Sequence, residues 1–445
     1  MNQRNSQSTP APLLQVGVLV LLALAAMSAY LTRHCIAVAN TTIQGELDID
    51  DEQMGWVLGA FAAGYFWFQI PGGWLGNRIG TRAAFPLIHT LWSLCTVWSS
   101  LAGSWLALGA SRVAYGCAQA GMVPLTAKVI NDWFHVSRRG ICSATFAAAM
   151  SVGGVISMGL TGLLIERFDW RDIFRAYSLV GIAWSIAFFA LFRTKPEQHP
   201  WVRSEAEEIQ SIESNRADPV PSESNNSDHD PALTGSALLL RIVTSRTIWG
   251  INVQSFFRAA GYGLFVTWLP AFLEYRFELS SAEAGGLTMY PLIGVVAGAL
   301  LGGAAVDGVL GWTGSKRVSR TGLAVGAMVA CSVLIFLSSQ SSSANGLVML
   351  MSLGSFFAGF SSPCSWAATM DVAGRYTAVI VGAMNMAGTL GGLTMPVVLG
   401  YMVGDIRETG GNWNHIIYFE SAVYLCAAVS WLAINPNDTA DAESQ

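Results

Sequence analysis

Long apolar stretches, each broken by charged or turn residues, recur from one end of the 445-residue chain to the other. A stretch of roughly 20 apolar residues is long enough to cross the ~30 Å hydrocarbon core of a bilayer as an α-helix. Because only helices and closed barrels satisfy the backbone there, each stretch predicts a spanning helix. Twelve spans are predicted, at residues 13–38, 54–75, 83–103, 105–130, 139–165, 172–193, 247–273, 282–306, 319–338, 345–370, 375–402 and 413–434.

A polar segment separates the sixth predicted span from the seventh. It includes the run SEAEEIQSIESNRADPVPSESNNSDHD, which is too rich in Ser, Asn, Asp, Glu and Pro to bury a core. The predicted organisation is an N-terminal six-helix bundle at 1–193, a partly disordered central loop at 194–246, a C-terminal six-helix bundle at 247–434 and a tail at 435–445. An even number of spans places both termini on one face of the membrane.

Composition supports a membrane protein and argues against a soluble enzyme. The chain is 52% hydrophobic and 12% charged, with a mean hydropathy of +0.45, whereas soluble domains average about 25% charged residues. The sequence contains no nucleophile elbow, P-loop, CxxC pair or metal-spaced His cluster. The net charge of −5 is spread over loops, so no nucleic-acid partner is expected, and neither a cofactor nor a metal is expected.

The distribution of Lys and Arg among the loops predicts the orientation. A cytoplasmic N-terminus puts most loop cations inside and leaves Arg167, Arg171, Arg175, Arg276 and Arg407 outside. The first outer loop, GELDIDDE, then carries five acidic residues and no base. Both termini and the central loop are therefore expected on the cytoplasmic side of the inner (plasma) membrane.

A glycine-rich basic loop follows the second span. The run PGGWLGNRIGTR, residues 71–82, resembles the signature loop of the major facilitator superfamily, and a degenerate copy, GGAAVDGVLGWTGSKR, follows span 8. The resemblance implies two pseudo-symmetric six-helix bundles that alternate access around a central site. It also implies a cytoplasmic gate, with an asparagine at the family's acidic position, formed by Gly73, Asn77, Arg78, Gly80, Arg82 and Asp307.

A narrower resemblance covers nearly the whole chain. The runs YLTRHCIAVA, MGWVLGAFAAGYFWFQIPGG, SRVAYGCAQAGMVP, DWRDIFRAY and TWLPAFL are similar to the anion:cation symporter family, which includes bacterial sugar-acid transporters and vesicular glutamate, sialic-acid and phosphate carriers. This resemblance implies that Arg33 and Tyr65 bind substrate. It also places Ser362, Ser365 and Asn385 where polar ligands of the C-terminal half are expected.

Three arginines inside predicted spans point independently to an anion. Placing an arginine at the centre of a spanning helix costs about 2.5–3.5 kcal/mol on insertion scales, so it normally faces a wet cavity or a partner. Arg33, Arg112 and Arg258 occupy such positions, and spans 1 to 5 offer no carboxylate for the first two. Guanidinium groups favour bidentate capture of carboxylate or phosphate. The alternatives are that Arg33 extends to the headgroups and that Arg112 braces gating helices.

Aromatic residues such as Tyr262 are candidates for the cavity wall, although each is also a candidate for simple packing. Two positions depart from the bacterial symporters: Thr32 replaces an acid before the span-1 arginine, and Gln119 replaces a glutamate in span 4. Neither residue titrates, so neither can relay a proton by that route. His34 is the alternative coupling residue, but the adjacent Arg33 favours its neutral form.

The sequence therefore predicts a secondary transporter of a small organic anion, with sugar acids such as hexuronates or aldonates leading. Co-transport of H⁺ or Na⁺ and transport driven by voltage remain open. The chain is expected to act as a monomer in the lipid bilayer. The alternatives are an organophosphate or phosphate transporter of the same fold, or a membrane sensor that binds an organic anion without transporting it.

Overall fold

The structure is a computed structural model that describes residues 12–194 and 244–438, and these residues are helical with no β-strand. The predicted all-α fold with twelve spans is confirmed. The predicted central loop, 194–246, falls almost entirely outside the described residues, as does the tail beyond residue 438. The division into bundle, loop, bundle and tail therefore stays a prediction.

The N-terminal spans begin and end close to the predicted residues. Local capping explains several starts: the side chains of Asp50, Ser104 and Asp169 accept hydrogen bonds from the first-turn amides of spans 2, 4 and 6. A short helix, Asn40–Leu47, follows span 1. Spans 1 to 6 are Pro12–Val38, Asp51–Ile79, Thr81–Ser100, Trp105–Gln119 continued by Met122–Trp133, Val136–Ile165 and Trp170–Leu191.

The C-terminal spans contain one sharp break that the hydropathy pattern does not predict. Span 7 bends by 55° between its two helices, where Pro270 lies at the start of the second helix. Span 9 starts with a π-helical turn, Val318–Gly322. Spans 7 to 12 are Arg246–Thr267 continued by Leu269–Phe277, Ser281–Thr313, Val318–Gly322 continued by Leu323–Ser338, Ala344–Ala373, Thr377–Thr409 and Asn414–Trp431.

Apolar length alone does not identify every span. Within the described residues, seven helices are long and apolar enough to cross a membrane, and the bent span 7 makes an eighth. The other four spans, 2, 3, 4 and 12, are shorter, interrupted or more polar than these eight. Several of their polar residues, such as Ser93 and Thr96 of span 3 and Ser111 of span 4, are buried within the protein, where a polar group must find its partner inside the bundle.

Helix packing repeats between the two halves. In the N-terminal half span 1 packs on span 5, span 2 on span 4 and span 3 on span 6. The C-terminal half repeats each pair, with span 7 on span 11, span 8 on span 10 and span 9 on span 12. The halves meet through spans 2 and 11 and through spans 5 and 8, which are again symmetry mates. The arrangement is that of two pseudo-symmetric bundles, as predicted.

Spans 2 and 11 cross at a pair of glycines. A methyl group added to Gly400 would lie 2.5 Å from the backbone oxygen of Asp51, and one added to Gly55 would lie 2.7 Å from that of Pro396. No side chain fits at such distances, so only glycine allows the two backbones to approach this closely. The crossing lies at the end of the bundle that carries the acidic loop GELDIDDE.

Polar contacts fasten the two halves at the same end. Asp51 of span 2 is buried and accepts a hydrogen bond from Arg407 Nη1 of span 11 at 2.8 Å. Gln44 Nε2 also donates to Asp51 at 2.8 Å, and the Tyr275 hydroxyl donates to Gln44. Thr41 donates to Glu274 across the same boundary. We call this set the acidic-end latch; both halves contribute residues to it.

Candidate functional site

A cavity of about 220 Å³ lies between the two halves, walled by spans 1, 2, 4, 7 and 11. It brings together residues that are far apart in the sequence but were predicted to act together. The predicted substrate-binding residues that line it are Arg33, Tyr65, Arg112, Arg258, Tyr262 and Asn385. The cavity is small compared with the roughly 300–1,000 Å³ of typical ligand pockets, which favours a small ligand.

Arg33 presents its guanidinium to this cavity without a charged partner. Its Cζ atom lies 4.0 Å from the ring centroid of Phe61, 5.4 Å from that of Tyr30 and 5.8 Å from that of Tyr65. Stacking on aromatic faces holds a cation but leaves its N–H groups free to donate. Within residues 12–194 and 244–438, its side chain makes no hydrogen bond or ion pair.

Arg258 enters the cavity from the opposite half. Its Nε atom is buried and has no hydrogen-bond partner, and no acidic side chain in the described part of the chain pairs with it. A buried donor without a partner costs about 1–3 kcal/mol, and more when it is charged. Arg33 and Arg258 are therefore two cations on facing walls, each with donors available to a ligand.

Arg112 is placed differently from the other two arginines. It is 3% exposed and donates from Nη2 to the backbone oxygen of Arg33 at 2.8 Å and from Nη1 to that of Thr32 at 3.5 Å. Its Nε atom is buried without a partner. Arg112 therefore fixes the backbone of span 1 beside Arg33 and also adds positive charge to the cavity wall.

Hydroxyl and amide groups complete the lining. Ser255, Thr267 and Thr389 were not among the predicted residues, yet they line the cavity. Each donates its proton to a backbone oxygen of a spanning helix, at 2.9, 2.6 and 2.9 Å respectively. Their oxygens can still accept, so they suit a ligand that carries several hydroxyl groups.

Ser362 and Ser365 lie outside the cavity lining. Ser365 is 1% exposed and accepts a hydrogen bond from Gln254 Nε2 at 2.6 Å, inside the C-terminal bundle. Ser362 is half-buried on the same helix. The prediction used their place along span 10, but the helix directs Ser365 toward span 7 and leaves Ser362 outside the cavity lining. A direct contact with substrate is not supported for either serine in this conformation.

Thr32 and Gln119, which were singled out because each replaces an acid, both contact Tyr115. The Tyr115 hydroxyl lies 2.8 Å from Thr32 Oγ1, accepts from Gln119 Nε2 at 2.8 Å and donates to the backbone oxygen of Ala29 at 2.8 Å. Gln119 is 1% exposed and does not line the cavity, whereas His34 does. This cluster is neutral throughout, so none of its members exchanges a proton near neutral pH.

The predicted gate residues lie at the opposite end of the bundle from the acidic-end latch. A methyl group on Gly73 would lie 3.2 Å from Pro124 Cβ, and Gly80 has φ = +78°, so both positions favour glycine. Arg82 Nε donates to the backbone oxygen of Phe189, near the end of span 6, at 3.2 Å. Arg78 stacks on Trp74 at 5.0 Å.

The remaining gate positions are less closely engaged. The side chain of Asn77 lies outside the described part of the structure. Asp307 is exposed, and the ion pairs at this end of the C-terminal half are made instead by Asp371, with Lys316 at 2.9 Å and Arg320 at 3.2 Å. Within the described residues, no group of three His, Cys, Asp or Glu side chains is placed to hold a metal ion.

The known proteins to which this chain is similar include three bacterial transporters of organic acids. The chain is 26% identical over 94% of its length to a probable sulfoacetate transporter of Cupriavidus necator, 93% of which is covered. It is 28% identical over 91% to a probable galactarate/D-glucarate transporter of Bacillus subtilis, 88% of which is covered. A D-galactonate transporter of Escherichia coli is 27% identical, with 94% of each chain covered.

Solved structures share the fold. A bacterial homolog of the human lysosomal transporter Spinster, in an inward-facing and unoccupied conformation, superposes with a TM-score of 0.71 at 18% identity, covering 95% of each chain. The inward-open xylose transporter of E. coli gives a TM-score of 0.71 at 12% identity, covering 94% of this chain and 96% of its own. The sequence profile of the Major Facilitator Superfamily matches residues 22–396. With this match and the repeated packing of its two six-helix halves, the chain belongs to the major facilitator superfamily.

Proposed function

We propose that this protein is a secondary transporter that carries a small organic anion across the inner membrane by alternating access. Sugar acids such as aldonates, aldarates and hexuronates are the leading substrates. Membership of the major facilitator superfamily makes the chain a membrane transporter rather than an enzyme. The observation that carries the choice of an anion is the pair Arg33 and Arg258, which face one cavity without acidic partners among the described residues.

Charge balance supports an anionic ligand. Two unpaired guanidinium groups in a hollow inside the membrane repel each other and are poorly solvated, so a bound anion lowers the energy of both. Planar guanidinium groups match a carboxylate or sulfonate in a two-pronged geometry. In this proposal Arg33 and Arg258 bind the acid groups, while Arg112 positions Arg33.

The hydroxyl-rich wall favours a polyhydroxylated anion over a simple one. Tyr65, Tyr262 and Asn385 offer donors and acceptors, and the neighbouring Ser255, Thr267 and Thr389 offer acceptors. The three relatives are named for sulfoacetate, galactarate or D-glucarate, and D-galactonate. Each of these substrates carries a carboxylate, and the last three carry a chain of hydroxyl groups.

The end of the bundle that the acidic-end latch closes supports one orientation of the protein in the membrane. We propose that the acidic-end latch is the external gate, that both termini are cytoplasmic, and that this conformation opens the cavity toward the cytoplasm. The acidic loop GELDIDDE at the closed end and the excess of Lys and Arg in the loops at the other end follow the positive-inside rule. The inward-facing Spinster homolog and the inward-open xylose transporter have the same fold.

Counterflow in proteoliposomes tests the function directly. Vesicles loaded with unlabelled galactonate are expected to take up labelled galactonate through the wild-type protein. Arg33→Lys and Arg33→Ala are expected to abolish this exchange while the protein still reaches the membrane, because neither substitute offers the two-pronged donor. Arg167→Lys is a matched control, since Arg167 is exposed outside the cavity.

The outcomes separate the alternatives. Retained wild-type uptake in Arg33→Ala would remove Arg33 from the site. A protein that exchanges glucose 6-phosphate or inorganic phosphate but no sugar acid would be a phosphate or organophosphate transporter. A protein that binds galactonate and exchanges nothing would be a sensor. Repeating uptake with imposed H⁺, Na⁺ and voltage gradients identifies the driving ion.

A further inference from the structure

One buried acidic side chain has no role in the cavity or in the gates. Asp51 and Glu420 are the two buried acids in the described part of the chain. Asp51 is paired with Arg407 in the acidic-end latch. Glu420 of span 12 is 0% exposed, and neither of its carboxyl oxygens has a hydrogen-bond partner. The sequence offered a signal for it, an acid six residues inside an apolar span.

Among the residues that the structure describes, no cation is in direct contact with Glu420. Span 12 packs on spans 7 and 9, and Ser421 and Ser332 join spans 12 and 9 by hydrogen bonds of 2.8 to 3.0 Å. The described ionisable groups that interact electrostatically with Glu420 include the Cys331 thiol of span 9 and the Tyr424 hydroxyl of span 12. The acidic residues of span 11, Asp405 and Glu408, are exposed near its end.

Tyr424 connects the surroundings of Glu420 with the cavity-lining helix of span 7. It lies one helical turn beyond Glu420 on the same face of span 12, and it is 1% exposed. Its ring packs on span 7, where a methyl group added to Gly261 would lie 2.5 Å from Tyr424 Cζ. On that helix Arg258 and Tyr262 line the cavity, and both are within electrostatic range of Tyr424.

An ionised carboxylate in this place would be strongly disfavoured. It would have lost its hydration without gaining a hydrogen bond or an opposite charge, and such groups become neutral by taking up a proton. Glu420 therefore carries a proton in the conformation seen here. If a conformational change brings it into contact with water or with Arg258, the charged form becomes favourable and the proton leaves.

We propose that Glu420 is a proton-binding site of the C-terminal half, which exchanges its proton with the cavity past Tyr424 and Arg258 during the transport cycle. This inference rests on the proposed function and names its coupling ion. The carboxylate takes one proton from water on one side and becomes the neutral acid. It returns that proton to water on the other side, so one proton crosses with the anion in each cycle.

Transport in proteoliposomes with a trapped pH dye tests the site. With an inward proton gradient and the membrane potential clamped at zero, the wild-type protein is expected to accumulate labelled galactonate and to acidify the lumen. Glu420→Gln keeps the shape of the side chain but cannot titrate. It is expected to lose accumulation and lumen acidification yet to retain galactonate counterflow, which needs no net proton movement. Glu408→Gln, an exposed acid at the end of span 11, is the matched control and is expected to behave as wild type.

Other measurements keep the test decisive if Glu420→Gln folds poorly. Glu420→Asp retains a carboxyl one methylene shorter and is expected to accumulate galactonate with a shifted pH profile. Infrared spectra of the wild type are expected to contain a protonated-carboxyl band that Glu420→Asp shifts. A wild type without counterflow contradicts the proposed function itself. Wild-type accumulation that ignores the proton gradient, undiminished accumulation in Glu420→Gln, or an unshifted band in Glu420→Asp overturns the Glu420 site alone.

Discussion

The ion pair between Asp51 and Arg407 is expected to set the balance between the two faces of the transporter. Asp51→Asn keeps the size of the side chain but removes its charge, so Arg407 loses the opposite charge that lies 2.8 Å away. A hydrogen bond to a charged group contributes about 1.5–3 kcal/mol. Because 46% of the Arg407 side chain is exposed while Asp51 is 6% exposed, water screens the pair and an estimate of about 1–2 kcal/mol is appropriate.

That free energy acts on the equilibrium between the closed and open states of the proposed external gate. A loss of about 1–2 kcal/mol shifts the ratio of the two states roughly 5- to 30-fold toward the open gate. The assay is labelling of Ala62→Cys, a cavity-lining position, by a membrane-impermeant maleimide added outside intact cells. Labelling of this reporter is expected to rise in Asp51→Asn by a factor in that range.

A matched control lies in the same acidic loop. Asp48 is exposed and has φ = 51°, a conformation that asparagine also tolerates, so Asp48→Asn removes one negative charge without breaking a pair. Maleimide labelling of the Ala62→Cys reporter is expected to be the same with and without Asp48→Asn. An equal rise in both variants, or no rise in Asp51→Asn, would refute the claim that the latch holds the external gate closed.

Two further predictions concern the crossing of the halves and the brace of span 1. Gly400→Ala is expected to open the external gate and raise maleimide labelling, because its methyl group would meet the Asp51 backbone oxygen at 2.5 Å. In the control Gly404→Ala the methyl group makes contacts of 3.7 Å or more, so no effect on labelling is expected. Arg112→Gln is expected to lower both uptake and melting temperature, because it removes the hydrogen bonds to the span-1 backbone. Arg33→Gln is expected to lower uptake with little change in melting temperature. Thermal unfolding and uptake are measured for both variants, and equal melting temperatures would contradict the bracing role of Arg112.

The sequence predicted the architecture because hydrophobic length and the energy of a charge in lipid are local properties. Each span follows from its own composition, and an arginine inside a span must face water or a partner. Arg33, Arg112 and Arg258 were found by this reasoning, and all three line the cavity. The distinction between the free Arg33 and the bracing Arg112 required the structure, since it depends on carbonyl oxygens of another helix.

Features that depend on helix rotation could not be predicted. Ser365 was placed correctly along span 10, yet the helix directs it toward Gln254 instead of the cavity. Thr267 and Thr389 line the cavity, but single hydroxyls in apolar helices usually bond to their own backbone and give no signal in the sequence. Span 7 bends by 55° where Pro270 lies at the start of its second helix, and hydropathy does not report the direction or size of such a bend.

The central claim is that Arg33 and Arg258 hold an anion between the two halves. Its most direct test is calorimetric titration of the purified protein with galactonate and with galactitol, which has the same hydroxylated chain without the carboxylate. Losing two charge-assisted hydrogen bonds of about 1.5–3 kcal/mol each is expected to weaken binding by roughly 100-fold or more. Galactonate is expected to bind and galactitol to bind at least that much more weakly, with the preference reduced in Arg33→Gln, in which Arg258 alone remains; equal affinity for the two ligands in the wild-type protein would contradict this binding mode.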